Sequence, residues 1–219
     1  MNPSSRQDLL TQLYELLDSL ERRTLSECSG RLLWPDRGVY FFFDPTQTRS
    51  DTGDSHRLIR VGTHALKAGS KTTLWKRLSQ HKGTAKSGGG NHRGSIFRLL
   101  TGDALIRSLR IDCPTWGKGN TASREIRLAE HDLEREVSQY IGQLPFVYVS
   151  IPDDAGPHSL RGVIERNGIA LLSNYVNEPL DSLGEHWLGC YSSRERVRPP
   201  DCVESYDPWR SPPSLRGSR

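Results

Sequence analysis

The chain has 219 residues, of which 34% are hydrophobic, so it can bury one modest core between long polar loops. Its formal net charge of +4 is compatible with a polyanionic partner. No apolar run is long enough to cross a membrane, and the first residues lack the apolar core of a secretory signal. We therefore expect a cytoplasmic protein with no membrane partner, and free thiols at its four widely spaced cysteines.

The first predicted element is an amphipathic helix over residues 6–23. Its leucines recur at three- and four-residue spacing, which places them on one face of a helix. We interpret this helix as a packing arm rather than as a dimerisation helix.

Two strands and a helix are predicted next. The first strand is predicted at residues 38–43, which are β-branched and aromatic, and the second at residues 56–62, where polar and apolar residues alternate. Together they predict an antiparallel hairpin. Residues 44–55 between them are turn-formers and predict a long connection. Residues 72–81 then predict a short helix.

The second half of the chain is mostly helical by pattern. Helices are predicted over residues 96–109, 121–142 and 158–174, and a third strand over 146–151. Residues 83–95, which are basic and rich in glycine, predict a loop. The expected fold is therefore of the α/β (α+β) class, a small and mainly antiparallel three-stranded sheet flanked by helices.

Three segments follow from these elements. Residues 1–29 form a predicted N-terminal helical extension, and residues 30–198 a main domain with helical insertions. Residues 199–219, rich in proline and polar residues, are expected to be irregular.

Chemistry-bearing residues occur at three places along this order of elements. Gly38 opens the first strand of the hairpin, and Gly62 closes the second. Arg77 and His81 are four residues apart on a helix, so they share one face and can meet a phosphate together. Glu165 lies at the edge of an apolar face on a late helix, where a carboxylate can bind a metal ion.

In this order the motifs resemble the GIY-YIG nuclease superfamily, in a divergent, restriction-enzyme-like form. The segments that carry the resemblance are GVY and RVG for the two named motifs, WKRLSQH for the arginine helix and IERNGIALLSN for the glutamate segment. They cover the chain from residue 38 to residue 174. One departure is Arg60, which stands where the second motif usually begins with tyrosine.

The resemblance implies a metal-dependent endonuclease that hydrolyses DNA phosphodiester bonds. Tyr40 would orient or deprotonate the attacking water, and Glu165 would hold Mg²⁺, with Mn²⁺ as a substitute. Arg77 would clamp the phosphate, and His81 would assist proton transfer. Asn174 would brace the site.

A second group of residues is predicted to bind nucleic acid. His92, Arg93 and Arg98 follow a run of glycines and can meet phosphates, and His92 shares the candidate proton-transfer role. Arg60 either replaces the missing tyrosine as a phosphate contact or points to solvent. Such a nuclease cuts with little sequence preference or gains specificity as a homodimer.

Simpler interpretations stand beside these. Tyr40 can be an ordinary core aromatic, and Arg77 with His81 the solvated face of a helix. Glu165 can form a helix ion pair with Arg161, four residues earlier. The alternative functions are a catalytically weakened nucleic-acid-binding protein of the same fold, or an intracellular scaffold protein.

Acidic residues between positions 130 and 136 raise the alternative of a carboxylate metal cluster. Glu130, Asp132, Glu134 and Glu136 alternate with basic and apolar residues. This alternation favours a solvent-facing helix with salt bridges.

Overall fold

The structure, a computed structural model, describes residues 3–84, 86–175, 177–181, 184 and 187–198. The predicted irregular segment, 199–219, lies outside the described residues. The described helices are α1 (Pro3–Asp18), α2 (Leu74–Lys82), α3 (Ile96–Leu109), α4 (Arg124–Ala129), α5 (His131–Gln143) and α6 (Leu160–Leu172). The strands are β1 (Arg23–Thr24), β2 (Gly38–Thr48), β3 (His56–Gly62) and β4 (Pro145–Ser150). Single turns of 3₁₀ helix occur at His92–Gly94 and Leu188–Tyr191.

The four strands form one antiparallel sheet in the order β1-β4-β2-β3. This confirms the expected α/β fold with a small antiparallel sheet flanked by helices. Strand β1 was not predicted, because two residues are too few to show alternation. Strand β2 extends to Thr48, into the segment predicted as a connection, and its register with β3 shifts after Phe42 and after Asp44.

The N-terminal helix packs into the core beneath the sheet. Alternate residues of a strand face opposite sides of a sheet, and one face of this sheet belongs to the main hydrophobic cluster. Its buried members are Leu10, Tyr14 and Leu17 of α1 with Val39, Phe41, Phe43, Leu58, Val61 and Val147 of the strands. The Tyr14 hydroxyl also accepts a hydrogen bond from the Leu58 backbone N–H at 3.0 Å. The prediction of a packing arm is therefore confirmed.

The described residues divide into two compact units. The sheet unit combines residues 3–82 with 140–181, and the helical unit combines 83–139 with 184–198. The domain boundary predicted after residue 29 stays a prediction.

The helical unit is organised around α3 and the start of α5. The Trp116 ring lies over Gly102 of α3, where an added Cβ would approach it to 2.0 Å, and its Nε1 donates to the Leu99 carbonyl at 3.0 Å. The helix predicted over 121–142 is in fact two helices that meet at Glu130.

No helix in the described part of the chain is long and apolar enough to span a bilayer. The expectation of free thiols holds for Cys28 and Cys113. It is wrong for Cys190, which is disulfide-bonded.

Candidate active site

The two glycines of the paired strands are required by close contacts. Tyr40 on β2 lies directly opposite Gly62 on β3, and its ring crosses over that residue. A Cβ added at Gly62 would lie 2.4 Å from the Tyr40 hydroxyl oxygen. At Gly38 an added Cβ would lie 2.7 Å from the Val149 carbonyl oxygen of β4. The GVY and RVG segments therefore form one steric unit, in which glycine leaves the space that the tyrosine fills.

The Tyr40 hydroxyl shares a hydrogen bond of 2.8 Å with Nε2 of His81. Helix α2 supplies His81 on the face that also buries Leu74 and Leu78. Tyr40 and His81 are both fully buried, at 0% exposure. The structure thus brings together two of the predicted catalytic residues, and it shields their shared hydrogen bond from solvent.

Arg77 lies one turn before His81 on α2 and is half-buried. Its Nη1 donates to Oε1 of Gln80 at 3.0 Å. Burial is the main cause of the lowered pKa of His64, and the charge of Arg77 contributes in the same direction.

Glu165 reaches the end of β3 from α6. Its Oε1 accepts a hydrogen bond of 3.1 Å from the Thr63 backbone N–H, and the Thr63 hydroxyl donates to the Gly38 carbonyl at 2.8 Å. Helix α6 comes close to β3 at Gly168, where an added Cβ would lie 3.4 Å from Val61. Thr63 therefore ties the half-buried Glu165 carboxylate to the start of β2. Thr63 is not predicted by any motif, and its only signal in the sequence is its position directly after the second motif.

The alternative ion pair between Glu165 and Arg161 is not formed. The buried Arg161 guanidinium instead pairs with Asp153 and donates to the backbone carbonyl of His64. Among the described residues, the second carboxylate oxygen of Glu165 accepts no hydrogen bond. It is therefore available to a ligand.

His64 is a buried neutral histidine beside these groups. Its ring is bonded to the Asp36 carbonyl through Nε2 at 3.0 Å, which fixes the proton on Nε2 because a carbonyl can only accept. Burial lowers the pKa of His64 to about 4, and the positive charges of Arg161, Arg37 and Arg77 contribute in the same direction.

This lowered pKa predicts an acid-sensitive stability. An unfolded histidine has a pKa of 6.5. As the pH falls below that value, the unfolded chain binds a proton at His64 that the folded chain does not bind. The contribution of His64 to stability is complete above pH 6.5 and is lost as the pH falls towards 4. We expect a loss of about 2 kcal/mol between pH 7 and pH 5, measured by urea denaturation.

The histidine itself is isolated by comparing variants. His64→Gln, which can still donate to the Asp36 carbonyl, should lose about 2 kcal/mol less than the wild type over this interval. His131→Gln, at a more accessible ring, should behave as the wild type. An equal loss in His64→Gln and the wild type would show that His64 is not the titrating group.

Arg60 lies opposite Phe42, two residues before Gly62, on the sheet face that carries Tyr40. It is half-buried. Its role as a phosphate contact remains a prediction.

The three residues His92, Arg93 and Arg98, which are predicted to bind nucleic acid, belong to the helical unit and contact carboxylates there. Arg98 is fully buried, and its Nε donates to Glu134 at 3.0 Å. His92 Nδ1 binds the same carboxylate at 2.9 Å, and Arg93 binds Glu130 through two hydrogen bonds of 2.6 and 2.8 Å. These contacts link α3 and the His92–Gly94 turn to Glu130 and Glu134. The role of the three side chains in binding nucleic acid stays a prediction.

Asn174 connects the ends of the sheet unit. Its Oδ1 accepts a hydrogen bond of 2.8 Å from Arg6 of α1, and its Nδ2 donates to the Leu180 carbonyl at 3.1 Å. Its observed contacts are therefore with α1 and with the chain that follows α6.

The site offers a divalent cation few protein ligands. The described residues contain no group of three or more histidine, cysteine, aspartate or glutamate side chains that could hold a metal ion. Glu165 offers one anchored carboxylate with a free oxygen. Magnesium is often bound through one or two carboxylates, with water and phosphate oxygens as its other ligands, so this donor set is compatible with it.

Comparison with known proteins agrees with this geometry. The family model described as the GIY-YIG domain matches residues 4–201, a range that includes the sheet, α6 and all of α1 except its first residue. Neither the curated proteins nor the solved structures give a match. The chain belongs to the GIY-YIG domain family, which is a family of nucleases.

Proposed function

We propose that this protein is a metal-dependent endonuclease that hydrolyses DNA phosphodiester bonds. The observation that carries the proposal is the link at the end of β3. There Gly62 accommodates the Tyr40 ring, and the next residue, Thr63, anchors Glu165. This link joins the buried pair of Tyr40 and His81 to the carboxylate of Glu165.

Glu165 is the residue that would hold Mg²⁺, or Mn²⁺ in its place. The Thr63 N–H fixes one carboxylate oxygen and leaves the other for the cation. When bound, the cation supplies Lewis-acid polarisation of the scissile phosphate and stabilises the charge of the leaving oxygen.

Arg77 would bind the phosphate that is attacked. The guanidinium presents several N–H donors in a planar fork that matches phosphate oxygens. Arg37, Arg77 and Arg161 all lower the pKa of His64, so a phosphate that enters this region meets a positive potential.

Tyr40 and His81 would handle the proton of the attacking water. His81 can take the hydroxyl proton across the 2.8 Å hydrogen bond while the tyrosine oxygen orients or deprotonates the water. Because both side chains are buried, this role requires the hydroxyl to turn towards the phosphate when the substrate binds.

The second candidate is a protein of the same fold that binds nucleic acid and has weak catalysis. Arg60 favours it, because a cation stands where the second motif usually has tyrosine, on the sheet face that carries Tyr40.

Nicking of supercoiled plasmid tests the proposal and separates the two candidates. We expect the wild-type protein to convert plasmid to the open-circular form with Mg²⁺, to stop in EDTA and to resume when Mg²⁺ is restored. Binding that falls with increasing salt, without nicking under any divalent cation, would favour the second candidate.

A further inference from the structure

The loop between β1 and β2 presents two adjacent leucines to solvent. Leu33 is 99% exposed, the highest value among the exposed large hydrophobic side chains of the described residues, and Leu32 is 38% exposed. Exposed leucines are common on protein surfaces, so exposure alone assigns no function. The way in which this loop is held distinguishes it.

A set of hydrogen bonds and a ring stack fix the turn that carries these leucines. The Ser29 carbonyl accepts from the Leu32 N–H at 3.3 Å and from Trp34 Nε1 at 2.8 Å, and the Ser29 hydroxyl oxygen accepts from the Arg31 N–H at 3.3 Å. The Trp34 ring stacks on Trp75 of α2 with a centroid separation of 5.0 Å. The leucines are therefore exposed on an ordered turn, which lowers the entropic cost of inserting them into a partner.

This turn lies beside the candidate active site. The Trp34 ring is 5.3 Å from the ring of Tyr148, which is the cross-strand neighbour of Tyr40 on β4. Trp75, the other partner of Trp34, lies two residues before Arg77 on α2. Leu33 is therefore next to Trp34, whose ring contacts both β4 of the sheet and helix α2.

The two segments joined by the Trp34–Trp75 stack are basic. Residues 29–37 and 70–77 contain five basic side chains and a single carboxylate, that of Asp36. The basic residues are Arg31, Arg37, Lys71, Lys76 and Arg77. This charge is complementary to phosphate. A stable protein interface needs about 800 Å² from each partner and few charges at its centre, which two leucines among cations do not provide.

We propose that Leu33 is a wedge that inserts between base pairs of a DNA duplex bound at the candidate site, with Arg31 on an adjacent phosphate. Apolar side chains inserted in this way unstack one base step and kink the duplex. The choice of DNA rests on the proposed function. If Leu33 inserts in this way, the substrate is a duplex that is bent beside the phosphate to be cut. The protein then prefers flexible base steps although it forms no hydrogen bonds to the bases.

Fluorescence of 2-aminopurine tests the wedge without cleavage. Short duplexes that carry 2-aminopurine at successive positions are titrated with protein in EDTA, where unstacking of the probe raises its emission. We expect the wild type to raise emission at one or two positions. Leu33→Ala should abolish this rise and weaken binding about tenfold, because the leucine surface is no longer buried between bases. Leu128→Ala, at a 64% exposed leucine of α4, should match the wild type.

Several results would overturn the wedge. These are equal binding and unstacking by Leu33→Ala and the wild type, wild-type binding without any rise in emission, or no binding of duplex at all. If sedimentation velocity shows a dimer that Leu33→Ala dissociates while DNA binding is unchanged, the leucines form a protein interface instead. A wild type that unstacks duplex in EDTA but never nicks plasmid with Mg²⁺ keeps the wedge and overturns only the nuclease.

Discussion

Replacing Glu165 with glutamine is expected to slow Mg²⁺-dependent nicking about a thousandfold, because the cation contributes several kcal/mol of charge stabilisation to phosphate cleavage. Glutamine retains a carbonyl oxygen that can accept from the Thr63 N–H, so the contact between α6 and the end of β3 is preserved. It removes the negative charge that a hard cation requires. DNA binding in EDTA should be unchanged or slightly tighter, because one negative charge is lost.

A matched variant separates this effect from a general change of charge. Glu15 is exposed on α1, and Glu15→Gln removes the same unit of charge in the same sheet unit. It should nick plasmid at the wild-type rate. If Glu165→Gln nicks as fast as Glu15→Gln, while both proteins have wild-type thermal unfolding, another group must hold the metal.

Much of the fold could be predicted because its elements have strong periodicity. The predicted range 96–109 coincides with α3, and the three predicted strands correspond to β2, β3 and β4. The break at Glu130 could not be predicted, because the helical pattern continues through it. The same holds for β1, whose two residues are strand only because they pair with β4.

The candidate site also contains residues that could be predicted from the sequence and one that could not. The order of the motifs pointed to Tyr40, His81 and Glu165, and the first two are in direct contact. Thr63 was missed because it binds Glu165 through its backbone N–H, which any residue except proline can provide. Side-chain chemistry alone therefore did not indicate what holds the carboxylate in place.

The acidic helix shows where the pattern was misinterpreted. The alternation of charges predicts a solvent-facing helix, but Glu130 and Glu134 are only 1% and 4% exposed. Asp132 and Glu136, between and beyond them, are exposed as expected. Residues four apart share a helix face, so the first pair could be buried while the second pair faced water. Their partners His92 and Arg93 lie 42 and 37 residues earlier in the chain, a separation that local pattern does not reveal.

The buried Glu134 carboxylate of α5 joins α3 to the turn at His92–Gly94. Its carboxylate accepts from Arg98 and from both the backbone N–H and Nδ1 of His92. Burial on its own would raise the pKa of Glu134, but the hydrogen bonds from His92 and the charge of Arg98 outweigh it and lower the pKa. Glu134→Ala would leave the buried Arg98 guanidinium without this counter-charge. We expect a loss of about 3–5 kcal/mol in the stability of this unit, measured by hydrogen exchange of the α3 amides.

Replacing both Arg98 and Glu134 measures how much of the lost stability comes from the unpaired charge of Arg98. The double variant Arg98→Met with Glu134→Leu should recover most of the lost protection, because no buried charge remains without a partner. Glu136→Ala, at an exposed position of the same helix, should change the stability by less than about 0.5 kcal/mol. If the α3 amides exchange as slowly in Glu134→Ala as in Glu136→Ala, the charge pair contributes little to stability. The packing of Trp116 on Gly102 and His92 must then stabilise the unit instead.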